Sequence, residues 1–237
     1  MSTAAPKIPL PDAPPSQALG GPTQQPLPSE IFSQAQALAQ RIQALLPQEQ
    51  ARGRVVGVTS CARQEGVSVV AGNLAVCASE MYTGSVLLID ANPRHASVAS
   101  HFGVEQARGL GDCLAGECTA QECLVGTAHP NLCVLPAGST TPRSFRFPNE
   151  HATAMFENLR RYFDLIVLDL PPFNEIDELF HASQRADGIL LVLEAERIHR
   201  QAAQRMKRQL EQVNAKLLGV VLNKRNNHVP EWLYRRL

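Results

Sequence analysis

Apolar residues along the chain form either short continuous runs or stripes at helical spacing. Runs such as SVLLID, DLIVLDL and DGILLVL are typical of strands that are buried on both faces of a parallel sheet. They predict strands at 54–59, 85–90, 131–135, 164–169, 187–193 and 216–222. The stretches between them predict helices at 67–82, about 94–102, 148–162, 175–185 and 198–214. This alternation predicts an α/β fold with a doubly wound, mostly parallel sheet and helices on both faces.

Two segments precede this alternating pattern. Residues 1–28 hold eight of the seventeen prolines and few large apolar residues, so we expect a disordered, Pro-rich arm. From Ser29 onward, apolar residues at helical spacing predict an N-terminal helix, which with its linker covers 29–50. This helix packs either on the main domain, 51–237, or on a neighbouring chain, and the sequence favours the first.

The formal net charge of zero gives no reason to expect a nucleic-acid partner. The charge is unevenly spread, because residues 197–237 contain ten Lys/Arg and two Glu. This basic C-terminal region predicts either a solvated helix or a surface for an anionic partner, such as the inner face of the membrane. The sequence contains no run of eighteen apolar residues and no signal-peptide core. We therefore expect a cytoplasmic chain that the basic region can recruit to the membrane.

The six cysteines include no C-x-x-C pair. Cys113, Cys118 and Cys123 recur every five residues, which does not line one face of a helix. We therefore expect reduced, mostly buried thiols rather than a metal site.

The candidate chemistry begins where the first predicted strand ends. Residues 59–75 read TSCARQEGVSVVAGNLA, between a predicted strand and a predicted helix. A phosphate-binding loop of the form G-x-x-x-x-G-K-[ST] occupies such a place. Gly66 and Ser68 fit this form, but Val67 stands at the lysine position and Cys61 at the first glycine.

Three more predicted strands end in polar residues: Asp90, Asp169 and Asn223. Ligands of doubly wound sheets bind at the carboxyl ends of the strands. In nucleotide-hydrolysing proteins of this kind, a hydroxyl and a carboxylate hold Mg²⁺, and a second carboxylate positions the nucleophile. Ser68, Asp90 and Asp169 are therefore candidate metal ligands, and the two aspartates are candidate catalytic residues. The other interpretation of each aspartate is a strand-end carboxylate that accepts hydrogen bonds from its loop.

Seven segments of the chain resemble segments of the bacterial tyrosine kinases of polysaccharide synthesis and follow the family's order along the sequence. These kinases are the CpsD/CapB-like branch of the ParA/MinD superfamily of P-loop ATPases. The family reads close to TSxxPGEGKSTxAxNLA, LLIDADLR and IIDTPP where this chain reads TSCARQEGVSVVAGNLA, LLIDANPR and VLDLPP. The other four segments are GLGDCLAGE, LCVLPAG, ADGILLVLEAERIHR and LLGVVLN. The resemblance covers about residues 29–237 and implies a P-loop NTPase-like fold.

The resemblance also implies a set of site residues, with ATP and Mg²⁺ as cofactors. The implied nucleotide-binding positions are Glu65, Gly66, Val67, Ser68 and Asn223, with Asn223 in the adenine-contact position. The family's C-terminal tyrosine cluster, which accepts phosphate, has shrunk here to Tyr234.

The departures from the family pattern fall on the chemistry. The family lysine aligns with Val67, a family glycine with Gln64, and the second aspartate of the LLIDADLR segment with Asn92. Losing the lysine removes a fixed positive charge from the transferring phosphate, so the Walker A motif is interpreted as degenerate.

Three functions remain open. The first is a non-catalytic tyrosine-kinase-like module in exopolysaccharide or capsule assembly, whose partner is a membrane co-polymerase (chain-length) protein or a kinase paralogue. The second is a weakly active ATP-dependent tyrosine kinase or ATPase that uses Asp90, Asp169 and a substitute cation such as Arg63. The third is a positioning protein of the MinD/ParA kind in a secretion system.

Overall fold

The computed structural model describes residues 28–46, 53–81, 84–104, 108–138, 150–175, 186–195, 200–212 and 215–224. Within these residues, one sheet contains seven strands: β1 Arg54–Ser60, β2 Val86–Asp90, β3 Val125–Gly126, β4 Leu132–Leu135, β5 Leu165–Asp169, β6 Gly188–Glu194 and β7 Leu217–Asn223. The predicted strands are confirmed to within one residue at each end. The two-residue β3 was not predicted, because so short a strand leaves no periodic pattern in the sequence.

The strands lie in the order β3-β4-β2-β5-β1-β6-β7. All neighbouring pairs are parallel except β3 and β4. The predicted doubly wound, mostly parallel sheet is therefore confirmed. Parallel pairing brings the carboxyl ends of β1, β2 and β5 to one edge of the sheet.

Helices cover the sheet where the described residues allow them to be traced. They are α1 Ser29–Leu45, α2 Val67–Met81, α3 Val98–Phe102, α4 Leu110–Leu114, α5 Ala120–Cys123, α6 Glu150–Tyr162 and α7 Arg200–Gln212. The predicted helix at 94–102 starts later than expected, because Pro93–His95 form a 3₁₀ turn first. Residues 176–185 of the helix predicted at 175–185, and the tail after 224, lie outside the described residues, and Glu175 ends a 3₁₀ turn, Phe173–Glu175. Among the described residues, every helix is too short or too polar to span a bilayer.

The core has two halves, one on each face of the sheet. Successive residues of a strand point to opposite faces, so β1 sends Val55 to one side and Val56 to the other. The half that contains Val55 is covered by α4, α5, α6 and α7, and the half that contains Val56 by α1, α2 and α3. Burial on both faces explains why the strands read as continuous apolar runs.

The N-terminal helix α1 packs on this domain, as the sequence favoured. Its apolar stripe places Ala39, Ile42 and Leu46 in the core half formed with α2, where each is at most 2% exposed. Its opposite face points to solvent, and Ile31 is 42% exposed. The helix is therefore part of the hydrophobic core rather than an independent appendage.

Because α1 packs on the domain through one face, the same Ile→Ala substitution should have different effects at a buried and at an exposed position of this helix. Ile42→Ala removes buried methylene groups and should lower the free energy of unfolding by roughly 2–4 kcal/mol. Ile31→Ala, at an exposed position of the same helix, should change it by less than about 0.5 kcal/mol. Urea denaturation followed by circular dichroism measures both, and equal losses would show that α1 does not dock through Ile42.

Candidate functional site

The candidate site lies at the carboxyl ends of the parallel strands. The loop after β1 covers residues 61–66, and α2 begins directly after it. Asp90 ends β2 and Asp169 ends β5, and the two residues are register partners across these neighbouring strands. The structure thus brings together the loop and the two aspartates that the sequence singled out.

Two residues of the loop have left-handed backbone conformations, Gln64 with φ of 66° and Gly66 with φ of 89°. Gly66 also has no space for a side chain, because a Cβ there would lie 2.1 Å from Nδ2 of Asn223. Gln64 carries the ordinary cost of a non-glycine residue in this region, roughly 1–2 kcal/mol. The resemblance aligns a glycine with this position, and the positive φ supplies the physical reason for one.

The Glu65 side chain folds back into the loop and fixes its shape. It is fully buried, and one carboxylate oxygen accepts hydrogen bonds from the backbone N–H groups of Cys61 and Ala62, both at 2.9 Å. The other oxygen accepts one from the N–H of Glu194, at the end of β6, at 3.3 Å. Glu65 is therefore the internal anchor of the loop.

The end of β7 holds the loop from outside. Nδ2 of Asn223 donates to the carbonyl oxygen of Glu65 at 2.9 Å, and Nζ of Lys224 donates to that of Gln64 at 2.6 Å. Lys224 also lies 3.4 Å from the Glu194 carboxylate. The sequence pointed to Asn223 but not to Lys224, although the two are adjacent in LLGVVLNKR. The described contacts of Asn223 are those of a loop clamp, and its role toward adenine stays a prediction.

Val67, at the lysine position, turns its side chain into the protein. It is 9% exposed and belongs to the core half covered by α1, α2 and α3. The first turn of α2 still offers backbone N–H groups that have no partner within the helix. The loop and helix therefore keep a backbone cradle but present no charged side chain at residue 67.

The Asp90 carboxylate accepts hydrogen bonds from the loop that follows β2. Its Oδ1 accepts the N–H of Asn92, and its Oδ2 accepts the N–H groups of Ser97 and Val98, all at 3.1 Å. Burial raises the pKa of Asp90 to about 6, although these hydrogen bonds act in the other direction. The loop hydrogen bonds that formed one of the two interpretations are thus present, and a metal role for Asp90 remains a prediction.

Asp169 is in a different situation from its neighbour. It is fully buried, and in the described part of the chain neither carboxylate oxygen has a hydrogen-bond partner. Burial, and then the charge of Asp90, raise its pKa well above the usual range. The nearby Ser68 hydroxyl acts in the other direction, although it does not reach either oxygen with the distance and angle of a hydrogen bond. The buried Oδ1 of Asn92 also lacks a donor among the described residues. Unpaired, buried carboxylate and amide oxygens have the chemistry of ligands for a hard cation such as Mg²⁺.

Arg63, the candidate substitute cation, is paired at the mouth of the site. Its guanidinium makes two hydrogen bonds to the carboxylate of Glu175, in the loop that follows Asp169. These bonds are the main cause of the lowered pKa of Glu175, and Arg94 lies 3.9 Å from the same carboxylate. Arg63 thus links two loops of the site, a contact that no spacing in the sequence indicates.

The predicted phosphoacceptor, Tyr234, lies outside the described residues. Tyr162 ends α6 just before β5 begins, so it lies at the opposite end of that strand from Asp169. The structure therefore places no described tyrosine beside the two aspartates.

Comparisons with known proteins agree with this fold. No protein-family model matches the chain. The tyrosine-protein kinase CpsD of Streptococcus agalactiae serotype III is 30% identical over 178 residues, which cover 74% of this chain and 76% of that protein. CpsD of Streptococcus pneumoniae serotype 4 is 31% identical over 173 residues, 72% of this chain and 76% of its own length. The succinoglycan biosynthesis transport protein ExoP of Rhizobium meliloti is 30% identical over 177 residues, 72% of this chain but 22% of its length.

Solved structures extend the comparison to the fold. The chimerical protein CapA2B2 superposes with a TM-score of 0.78 at 24% identity, covering 86% of this chain and 89% of its own. The septum site-determining protein MinD of Pyrococcus horikoshii, solved with Mg-ADP, has a TM-score of 0.63 at 21% identity, with 78% and 76% covered. These similarities support the predicted P-loop NTPase-like fold.

The unpaired carboxylate predicts an unusual response to neutralisation. Asp169→Asn should raise the free energy of unfolding at pH 7 by roughly 1–3 kcal/mol, since it removes a buried acid whose ionised form is disfavoured in the folded chain. Because the pKa of Asp169 is raised on folding, the folded wild type binds this proton more tightly than the unfolded chain does. The wild type therefore loses stability as the pH rises above 3.8, the pKa of the carboxyl in the unfolded chain. The advantage of the variant should therefore disappear towards pH 4.

Urea denaturation at pH 7 and pH 4 measures this difference. Asp164→Asn is the matched control, because the Asp164 carboxylate already accepts the N–H of Ser85 at 2.9 Å. This control should show no gain at either pH. A loss of stability in Asp169→Asn at pH 7 would show that the carboxylate has a favourable partner in the folded chain.

Proposed function

Because the chain belongs to the CpsD/CapB-like family of bacterial tyrosine-protein kinases, we propose that it is a non-catalytic member of that family. In this proposal it acts as a regulatory or binding module in the biosynthesis and export of exopolysaccharide or capsule. Its partner is a membrane co-polymerase (chain-length) protein or an active kinase paralogue. The name of the relative ExoP, a succinoglycan biosynthesis transport protein, supports the pathway.

Val67 is the observation that carries the proposal. Phosphoryl transfer depends on positive charge placed against the phosphates, and the lysine that supplies it is replaced by a side chain packed in the core. Arg63 does not replace that charge in the described structure, because its guanidinium is engaged by Glu175. The loop also has Gln64, rather than the family's glycine, at a position whose positive φ suits glycine. The backbone scaffold of the site thus remains while its main cation is missing.

The donor set at the strand ends supports a second candidate, a weakly active ATP-dependent kinase or ATPase. Asp169, with Asp90 and Ser68 close by, fits Mg²⁺ through its two unpaired carboxylate oxygens. When bound, Mg²⁺ with ATP would supply charge neutralisation on the phosphates. Asp169 would then hold the cation, directly or through water, and the backbone of Gly66 and the first turn of α2 would hold the phosphates.

Location follows the same proposal. A partner in the membrane would bring the chain to the cytoplasmic face, and the positive charge between residues 197 and 237 would add attraction to anionic lipids. The basic helix α7 supports this, because Arg205, Lys207 and Arg208 are all exposed.

Restoring the cradle should restore nucleotide binding. Val67→Lys alone should have little effect, since Gln64 still crowds the close approach of phosphate to the backbone. Val67→Lys with Gln64→Gly should bind ATP in a Mg²⁺-dependent manner, with a gain of roughly 10–100-fold over the wild type. This gain corresponds to one hydrogen bond to a charged group, about 1.5–3 kcal/mol. Calorimetry with ATP, with and without Mg²⁺, on variants shown by circular dichroism to be folded measures the gain.

Three controls make the outcome decisive. Gln64→Gly alone should remove backbone strain without creating binding, and Asp169→Ala in the double variant should abolish the dependence on Mg²⁺. An anti-phosphotyrosine blot of the wild type incubated with ATP should remain blank. Micromolar binding of ATP by the wild type, or its autophosphorylation, would overturn the proposal in favour of the weakly active kinase.

A further inference from the structure

Three cysteine sulfur atoms meet beside α4 and α5, away from the strand-end site. Sγ of Cys118 lies 3.7 Å from Sγ of Cys113 and 3.1 Å from Sγ of Cys123, and all three lie within 4.8 Å of one another. Cys113 and Cys123 are buried, and Cys118 is half-buried. The five-residue spacing suggested separate thiols, but that reasoning assumed one continuous helix. The chain instead turns between two short helices and brings the thiols together.

The turn that gathers the thiols is fixed by its own backbone. Gly116 adopts a φ of 77°, and its N–H donates to the carbonyl oxygen of Cys113 at 3.1 Å. The N–H of Glu117 donates to the carbonyl of Asp112 at 3.0 Å, and α5 then starts with the N–H of Thr119 donating to the Glu122 carboxylate. The thiols are therefore positioned by hydrogen bonds that do not involve sulfur. A ligand would meet a largely preorganised set of donors.

The sulfur separations fit coordination to a metal ion. Zn–S bonds of about 2.3 Å in tetrahedral geometry place neighbouring sulfur atoms about 3.8 Å apart. The 3.7 Å between Cys113 and Cys118 is close to that value, and the 3.1 Å between Cys118 and Cys123 would widen when an ion is bound. A disulfide would instead need about 2.05 Å. Within the described part of the chain, no His, Asp or Glu ligand atom joins the group of three thiols. Three thiolates without a harder ligand favour soft, closed-shell ions such as Cu⁺ or Zn²⁺.

We propose that Cys113, Cys118 and Cys123 bind one thiophilic d¹⁰ cation, Cu⁺ in a trigonal site or Zn²⁺ with water as a fourth ligand. The ion reaches the thiols through a cleft of about 460 Å³ that Cys113 and Cys118 line together with Met155 and Tyr162 of α6. Binding replaces the thiol protons with the metal, so it releases protons and crosslinks α4 to α5. The site is independent of the proposed loss of kinase activity.

Metal titration of the reduced full-length protein tests this proposal. Protein whose six cysteines all react with a thiol reagent is titrated, without oxygen or free reductant, with Cu⁺ held by bicinchoninate and separately with Zn²⁺ held by a chromophoric chelator. The wild type should take one ion per chain from at least one of the two, with sulfur-to-metal charge-transfer absorption in the ultraviolet. Binding should also raise the thermal unfolding midpoint.

Two substitutions at half-buried cysteines separate this site from thiols in general. Cys118→Ser removes the central ligand and should weaken binding at least about 100-fold, since even the loss of outer hydrogen-bond partners costs about 10–100-fold. Cys61→Ser changes a half-buried thiol outside the cluster and should retain wild-type affinity. Equal affinity in wild type and Cys118→Ser would overturn the proposal. Failure of the reduced wild type to bind either ion would also overturn the proposal. This second test does not depend on whether the variant folds.

Discussion

Parallel pairing of β1, β2 and β5 is the constraint on which the rest of this molecule depends. It places the loop after β1 and the two strand-end aspartates at one edge of the sheet and sets Asp90 directly opposite Asp169. When two carboxyl groups lie on neighbouring strands in a buried environment, ionising both of them costs free energy, because the two negative charges repel each other and neither is solvated. The chain accommodates one of them with three backbone hydrogen bonds to Asp90 and leaves Asp169 without a partner in the described residues.

This difference between Asp90 and Asp169 bears on the proposed loss of kinase activity. A fold that had lost every role for these groups would gain stability by replacing an unpaired buried carboxylate, because buried polar groups without partners are costly. Asp169 is still present, whereas Val67 already serves the core. If the chain is non-catalytic as proposed, it keeps the carboxylates that suit a cation and uses the residue at the lysine position for packing.

Most of the fold could be predicted from the sequence, because strands buried on both faces leave continuous apolar runs and helices leave stripes. The loop, Asp90 and Asp169 could be placed as well, since strand ends of a parallel sheet share an edge. Contacts between segments distant in sequence could not be predicted. The pairing of Arg63 with Glu175 and the clamp of Lys224 on Gln64 depend on loops whose shapes no periodicity encodes. The cysteine cluster was missed for a similar reason, since a turn at Gly116 overrides the spacing of its members.

The clamp from β7 also bears on how the protein is made. Asn223 and Lys224 hold the loop across 158 and 160 positions of sequence, so these bonds can form only after nearly the whole described chain has been synthesised. Contacts of such long range close late, because the entropy of the intervening chain must be lost first. On the ribosome, β1 and α2 would emerge long before the strand that fixes the loop between them. The phosphate-type loop is thus among the last features of this protein to mature, and a nascent chain would carry its scaffold without its final shape.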